Sequence, residues 1–127
     1  PGATHVNSDT AQAVQWDIED FDTDGYHDTA ANRSRFVALV PGIYELYAKL
    51  HTASTAFTSG VMVGKNGTPD PSTRDSAQTG TYAGSMPKTQ GTFVLAQGDY
   101  LEVFSIAQAG GLTLSAAYCV AEFRKVG

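Results

Sequence analysis

The clearest pattern of apolar and polar positions runs from Phe36 to Ala53, FVALVPGIYELYAKLHTA. In its second half Tyr44, Leu46, Ala48 and Leu50 fall on one face and Ile43, Glu45, Tyr47 and Lys49 on the other. That period of two marks a half-buried strand, because successive side chains leave a strand on opposite sides. Pro41-Gly42 interrupts the run. Proline has no N–H to give and belongs at a turn, so two strands joined by a Pro-Gly turn are expected.

Similar signals recur along the chain. Residues 12–21 start a strand with Val14, Trp16 and Ile18 on one face, and the polar stretch DTDGYHDTAANRS after it reads as loop. FTSGVMVG, residues 57–64, is a strand ended by Lys65-Asn66-Gly67-Thr68, and Asn-Gly is the strongest short signal for a two-residue hairpin turn. Residues 68–90 are rich in Pro, Ser, Thr and Gly. They read as a long loop with a short strand around Thr81-Tyr82-Ala83, functional or ordered by a neighbouring subunit. GTFVLA, the turn Gln97-Gly98-Asp99, YLEVFSIAQA, the turn Ala109-Gly110-Gly111 and LTLSAAYCVAEFRKV complete the chain. About eight strands without helix-period segments predict an all-β antiparallel sandwich or barrel.

Two late strands are apolar on both faces. Tyr100, Phe104 and Ile106 oppose Leu101 and Val103, while Tyr118 and Val120 oppose Cys119 and Phe123. A sandwich in solution solvates one face of each sheet, so the second face is expected to be covered by another copy of the chain.

Composition narrows the function. At 127 residues the chain has room for one domain. A net charge of −5 with only eight scattered Lys and Arg gives no basic patch for nucleic acid. No apolar run approaches the roughly 20 residues of a membrane span, and the start PGATHVNSDT lacks the pattern of a secretory leader. The single cysteine, Cys119, rules out an intramolecular disulfide and reads as a buried small hydrophobe.

Chemistry-bearing motifs are few. Asp22-Thr23-Asp24-Gly25, with Asp28 nearby, resembles the start of a calcium loop, but the closing Glu and the flanking helices are missing, so a plain Asp-Gly turn is the stronger reading. His5, His27 and His51 lie far apart, and His27 beside Asp24 and Asp28 has no nucleophile in a recognisable context. No serine sits in a GxSxG setting, so no catalytic residue and no cofactor are expected. Asn32-Arg33-Ser34 and Asn66-Gly67-Thr68 match the glycosylation sequon, which matters only in a eukaryotic secreted protein.

The order of the core segments resembles the trimeric jelly-roll family that includes tumour necrosis factor and the globular heads of complement's collagen-like subunit. The likeness is carried by Phe36, Pro41-Gly42-Ile43-Tyr44, Val61 to Gly67, Gly91 to Leu95, Gln97-Gly98-Asp99-Tyr100-Leu101 and the closing strand to Phe123. Trp16-Asp17, Phe21 to Asp28 and Asn32 to Arg35 further resemble a segment of this family's bacteriophage members. The resemblance implies an antiparallel two-sheet sandwich of jelly-roll topology assembled as a trimer: an N-terminal arm over residues 1–11 and a jelly-roll domain over 12–127. It also places Tyr47, Tyr100, Phe104, Tyr118 and Phe123 among the core and trimer-interface residues. The function it implies is a non-enzymatic virion-surface protein made in the host cytoplasm, a capsid decoration or cement protein partnered by itself and by the major capsid protein or other virion proteins. The alternatives are the head of a tail fibre that binds a host receptor, and a secreted trimeric ligand.

Overall fold

In the computed structural model the described residues are 4–5, 11–16, 24–51, 58–78, 87–108, 112–113 and 119–127. They form eleven strands: β1 (Thr4–His5), β2 (Gln12–Ala13), β3 (Phe36–Val37), β4 (Gly42–Lys49), β5 (Thr58–Lys65), β6 (Thr68–Pro69), β7 (Asp75–Gln78), β8 (Lys88–Leu95), β9 (Tyr100–Gln108), β10 (Leu112–Thr113) and β11 (Val120–Lys125). One 3-10 turn, Pro71–Thr73, lies between β6 and β7. No helix among the described residues is long and apolar enough to cross a membrane.

Two antiparallel sheets make a jelly-roll sandwich. One has the order β11-β4-β8; the other runs β2-β9-β5-β6, with β3 also on β9 and β7 also on β5. Between the sheets lie Tyr44, Leu46 and Ala48 of β4, Val61 and Val63 of β5, and Leu101 and Val103 of β9, all fully buried. Residues on the sandwich's inner side alternate with outward ones along each strand, which is the pattern a two-layer core requires. Phe123 of β11 stacks on Tyr44 (centroids 5.1 Å apart, 10° between planes) and on Phe36 (5.7 Å, 29°), and meets Tyr26 edge-on at 5.2 Å. These rings join β11, β4 and the 24–37 segment into one aromatic wall.

Several expectations change here. Pro41-Gly42 does not close a hairpin. β3 pairs with β9 in one sheet, whereas β4 pairs with β8 and β11 in the other, so the Pro-Gly segment carries the chain across the sandwich. Residues 68–90 are not one loop either: β6 and β7 both add to β5. The intervening turn is tied down by Thr73, whose hydroxyl donates to the Asp70 carbonyl at 2.8 Å and accepts from the Val63 N–H at 2.9 Å. The strand expected around Thr81-Tyr82-Ala83 and the turn at 109–111 lie outside the described residues. Part of the expected arm, Thr4–His5, is paired with Leu112–Thr113.

The outward face of β9 is also covered within one chain. Met62, Phe104 and Ile106 are only 5–8% exposed. Two glycines of β5 make room for two of these side chains: a Cβ at Gly64 would sit 2.5 Å from Phe104 Cε2, and one at Gly60 2.7 Å from Ile106 Cγ2. The large side chains fold flat into the hollows that glycine leaves on a neighbouring strand. Apolar residues on both faces of β9 therefore do not require a second copy.

Candidate assembly face and turn junction

The outer face of the β11-β4-β8 sheet remains open in the single chain. Inward alternation of Tyr44, Leu46 and Ala48 leaves Ile43, Glu45, Tyr47 and Lys49 outside. The register sets Ile43 beside Val94, Glu45 between Arg124 and Thr92, and Tyr47 between Glu122 and Gln90. Val94 is 73% exposed, and Ile43, Val120 and Val126 are each more than 40% exposed. The chain end is stitched beside them: the Val126 N–H donates to the Ile43 carbonyl at 2.8 Å, and the Ile43 N–H donates to the Gly127 carbonyl at 3.0 Å. In the middle of the face Arg124 donates from Nε and Nη2 to Glu45 Oε1 at 3.0 and 2.8 Å. Hydrogen bonding from the Gln90 side chain, and then from Arg124, holds the Glu45 carboxyl below its ordinary range. Apolar side chains around a fixed ion pair are the makings of a protein-binding surface.

A second cluster forms where the β5–β6 turn meets the turn into β9. Asn66 and Gly67 both have positive φ (51° and 86°), the conformation of a type I′ hairpin turn, which Asn-Gly tolerates better than other pairs. Asp99 accepts from Asn66 Nδ2 at 3.0 Å, from the Ala96 N–H at 2.9 Å and from Lys65 Nζ at 3.2 Å. These donors lower its pKa to about 2. The Tyr100 N–H donates to Asn66 Oδ1 at 3.0 Å, and the Arg35 guanidinium lies 4.4 Å from the centre of the Tyr100 ring.

No protein-family model and no curated protein matches the chain. Solved structures do. The chain folds like murine APRIL. The crystal structure at pH 5.0 is 26% identical and superposes with a TM-score of 0.69, covering 96% of this chain and 92% of that one. The structure at pH 8.5 is 24% identical with a TM-score of 0.70, covering 99% and 94%, and that at pH 8.0 is 22% identical with a TM-score of 0.67, covering 96% and 92%. The jelly roll is thus of the tumour necrosis factor type. Nothing in these matches points to a bacteriophage.

Against this fold the residues singled out in the sequence separate into different settings. Tyr47 lies on the open face. Tyr100 belongs to the turn junction, Phe104 to the covered face of β9, and Phe123 to the aromatic wall of the core. Tyr118 lies outside the described residues. Asp22 does too, and the two carboxylates near it serve the chain itself. Asp28 accepts from the Ala30 and Ala31 N–H groups at 2.8 and 3.1 Å, and Asp24 accepts from the Tyr26 hydroxyl. Among the described residues no three His, Cys, Asp or Glu gather in a way that would hold a metal ion.

His27 donates from Nε2 to the Arg33 carbonyl at 2.8 Å and stacks on Phe36 at 4.9 Å, so its described contacts fasten a loop. Cys119 accepts from the His51 N–H at 3.3 Å, and burial raises the pKa of its thiol, opposite to what a nucleophile needs. The segment that resembles bacteriophage proteins also has structural work: the Trp16 N–H donates to the Arg33 carbonyl, the Val37 N–H to the Tyr26 carbonyl, and the Tyr26 ring packs on Tyr44. The sequence reading set Ile43 on the face opposite Tyr44, but singled out neither it nor Val94 as a contact residue. Their signal is parity alone, one step out of phase with Tyr44 and Leu95.

Proposed function

We propose that the chain is a non-enzymatic binding module that acts as a homotrimer outside the cell, a ligand of the tumour necrosis factor type that engages a receptor protein. The observation that carries this reading is the fold shared with murine APRIL over nearly the whole chain, together with an open β11-β4-β8 face bearing Ile43, Val94, Val120 and Val126. That face supplies the subunit contact, and the turns at the sandwich ends remain for a partner. Charged groups placed at the centre of an apolar contact are not tolerated without a partner. Ile43→Asp with Val94→Asp is therefore expected to give a folded monomer, read by circular dichroism and by solution mass. A folded trimer from the double variant would sink the assignment of this face.

A second reading places the same trimer on a bacteriophage virion as a capsid decoration protein or fibre head. It is favoured by the resemblance of Trp16-Asp17, Phe21 to Asp28 and Asn32 to Arg35 to virion proteins. Removal of residues 1–11 is then expected to abolish capsid binding while the sandwich stays folded. Unchanged binding would leave only the fibre-head form of this reading.

A further inference from the structure

Asn66-Gly67 is the kind of sequence in which an asparagine side chain is most open to attack by its own backbone, because glycine puts no side chain beside the attacking nitrogen. Both residues are exposed. The turn itself needs only their backbone conformation, yet the Asn66 carboxamide is held at both ends: Nδ2 donates to Asp99 Oδ1 at 3.0 Å, and Oδ1 accepts the Tyr100 N–H at 3.0 Å. The Asn66 N–H also donates to the Tyr100 carbonyl at 2.9 Å. Asp99 is itself anchored by Lys65 and by the Ala96 N–H.

We propose that Asn66 is a deamidation site and that the clamp made by Asp99 and the Tyr100 N–H sets its rate. The Gly67 backbone nitrogen attacks Cγ of Asn66. A C–N bond forms while the Cγ–Nδ2 bond breaks, the Gly67 amide proton passes through solvent to the departing nitrogen, and ammonia leaves. Water then opens the five-membered succinimide at either carbonyl, giving aspartate or isoaspartate at position 66. The clamp opposes the first step. Cγ must swing toward Gly67 while Nδ2 leaves its acceptor, and both movements break the hydrogen bonds described above.

The product changes the junction. A carboxylate at position 66 faces the Asp99 carboxylate where an N–H donor stood, and like charges at this distance repel. Isoaspartate also lengthens the backbone of a two-residue turn whose flanking residues, Lys65 and Thr68, are paired. Modification therefore unfastens the β5–β6 turn from the turn that leads into β9.

The test is to age the folded 127-residue chain at neutral pH and body temperature and to map isoaspartate and aspartate at position 66 by peptide mass spectrometry. Asp99→Ala is expected to speed conversion roughly tenfold, the rate equivalent of one lost hydrogen bond. Wild type unfolded in urea is expected to convert at least as fast as that variant. Equal rates in folded wild type and folded Asp99→Ala would overturn the proposal. Where Asp99→Ala fails to fold, Lys65→Ala frees Asp99 on one side only and is expected to give an intermediate rate; a rate equal to wild type overturns the clamp. Asn66→Asp is expected to lose stability at neutral pH and to recover part of it as pH falls and the carboxyl introduced at position 66, rather than the well-anchored Asp99, takes up a proton. A loss independent of pH would contradict the charge repulsion.

Discussion

Phe123→Ala separates a core role from a subunit-contact role. The Phe123 ring contacts Tyr44, Phe36 and Tyr26 at centroid distances of 5.1–5.7 Å. Truncating a buried phenylalanine costs about 3–5 kcal/mol. Phe123 is half-buried, so the lower end applies. Loss of its ring pairs, worth about 0.5–1.5 kcal/mol each beyond area, keeps the total near 3 kcal/mol. For a domain of this size the melting temperature falls by roughly 10 °C for such a loss. Because all three ring partners belong to the same chain, the drop should not vary with protein concentration. The assay is thermal unfolding followed by circular dichroism over a hundredfold dilution series, compared with wild type at each concentration. A drop that vanishes in dilute samples, where wild type has dissociated as well, would show that the ring acts between subunits and refute the argument.

Three further outcomes are expected. Asp99 has its pKa lowered from 3.8 to about 2. Its depressed value means that its contribution to stability is complete above the ordinary pKa and drains away as pH falls from about 3.8 toward 2. Acid unfolding of Asp99→Asn should lack that component, and an unchanged acid profile would count against the junction. Gly64→Ala should destabilise by about 2 kcal/mol in a urea titration, because the added Cβ would meet Phe104 Cε2 at 2.5 Å and the Thr68 carbonyl carbon at 2.8 Å. A neutral result would show that Phe104 is free to move. Cys119, its thiol pKa raised by burial, should react slowly with iodoacetamide at neutral pH and fast once unfolded; rapid native alkylation would contradict that placement.

The parts legible in the sequence were those written in local periodicity or turn chemistry. Tyr44, Leu46, Ala48 and Leu50 gave β4 and its inward face, and Asn66-Gly67 gave the hairpin between β5 and β6. Pairing was not local. Nothing within Phe36 to Gly42 tells that β3 joins Leu101 and Tyr100 while β4 joins Val94 and Phe93. β7, Asp-Ser-Ala-Gln, carries no apolar alternation and is held by its ladder to β5, so composition reads it as loop. The apolar outer face of β9 was visible, but the hollows that take Phe104 and Ile106 were not, because only the register brings Gly60 and Gly64 opposite Ile106 and Glu102. The open face depends on register as well: Ile43 and Val94 become neighbours only once β4 and β8 are paired.

Multi-angle light scattering on a size-exclusion column, run on the wild-type chain across a dilution series, decides whether the chain is a trimer. A mass close to three times the 13.4 kDa of one chain is expected, persisting at the lowest concentration that still scatters measurably. A monomer at every concentration would contradict it, leaving the β11-β4-β8 face as ordinary surface and the trimeric ligand reading without its support.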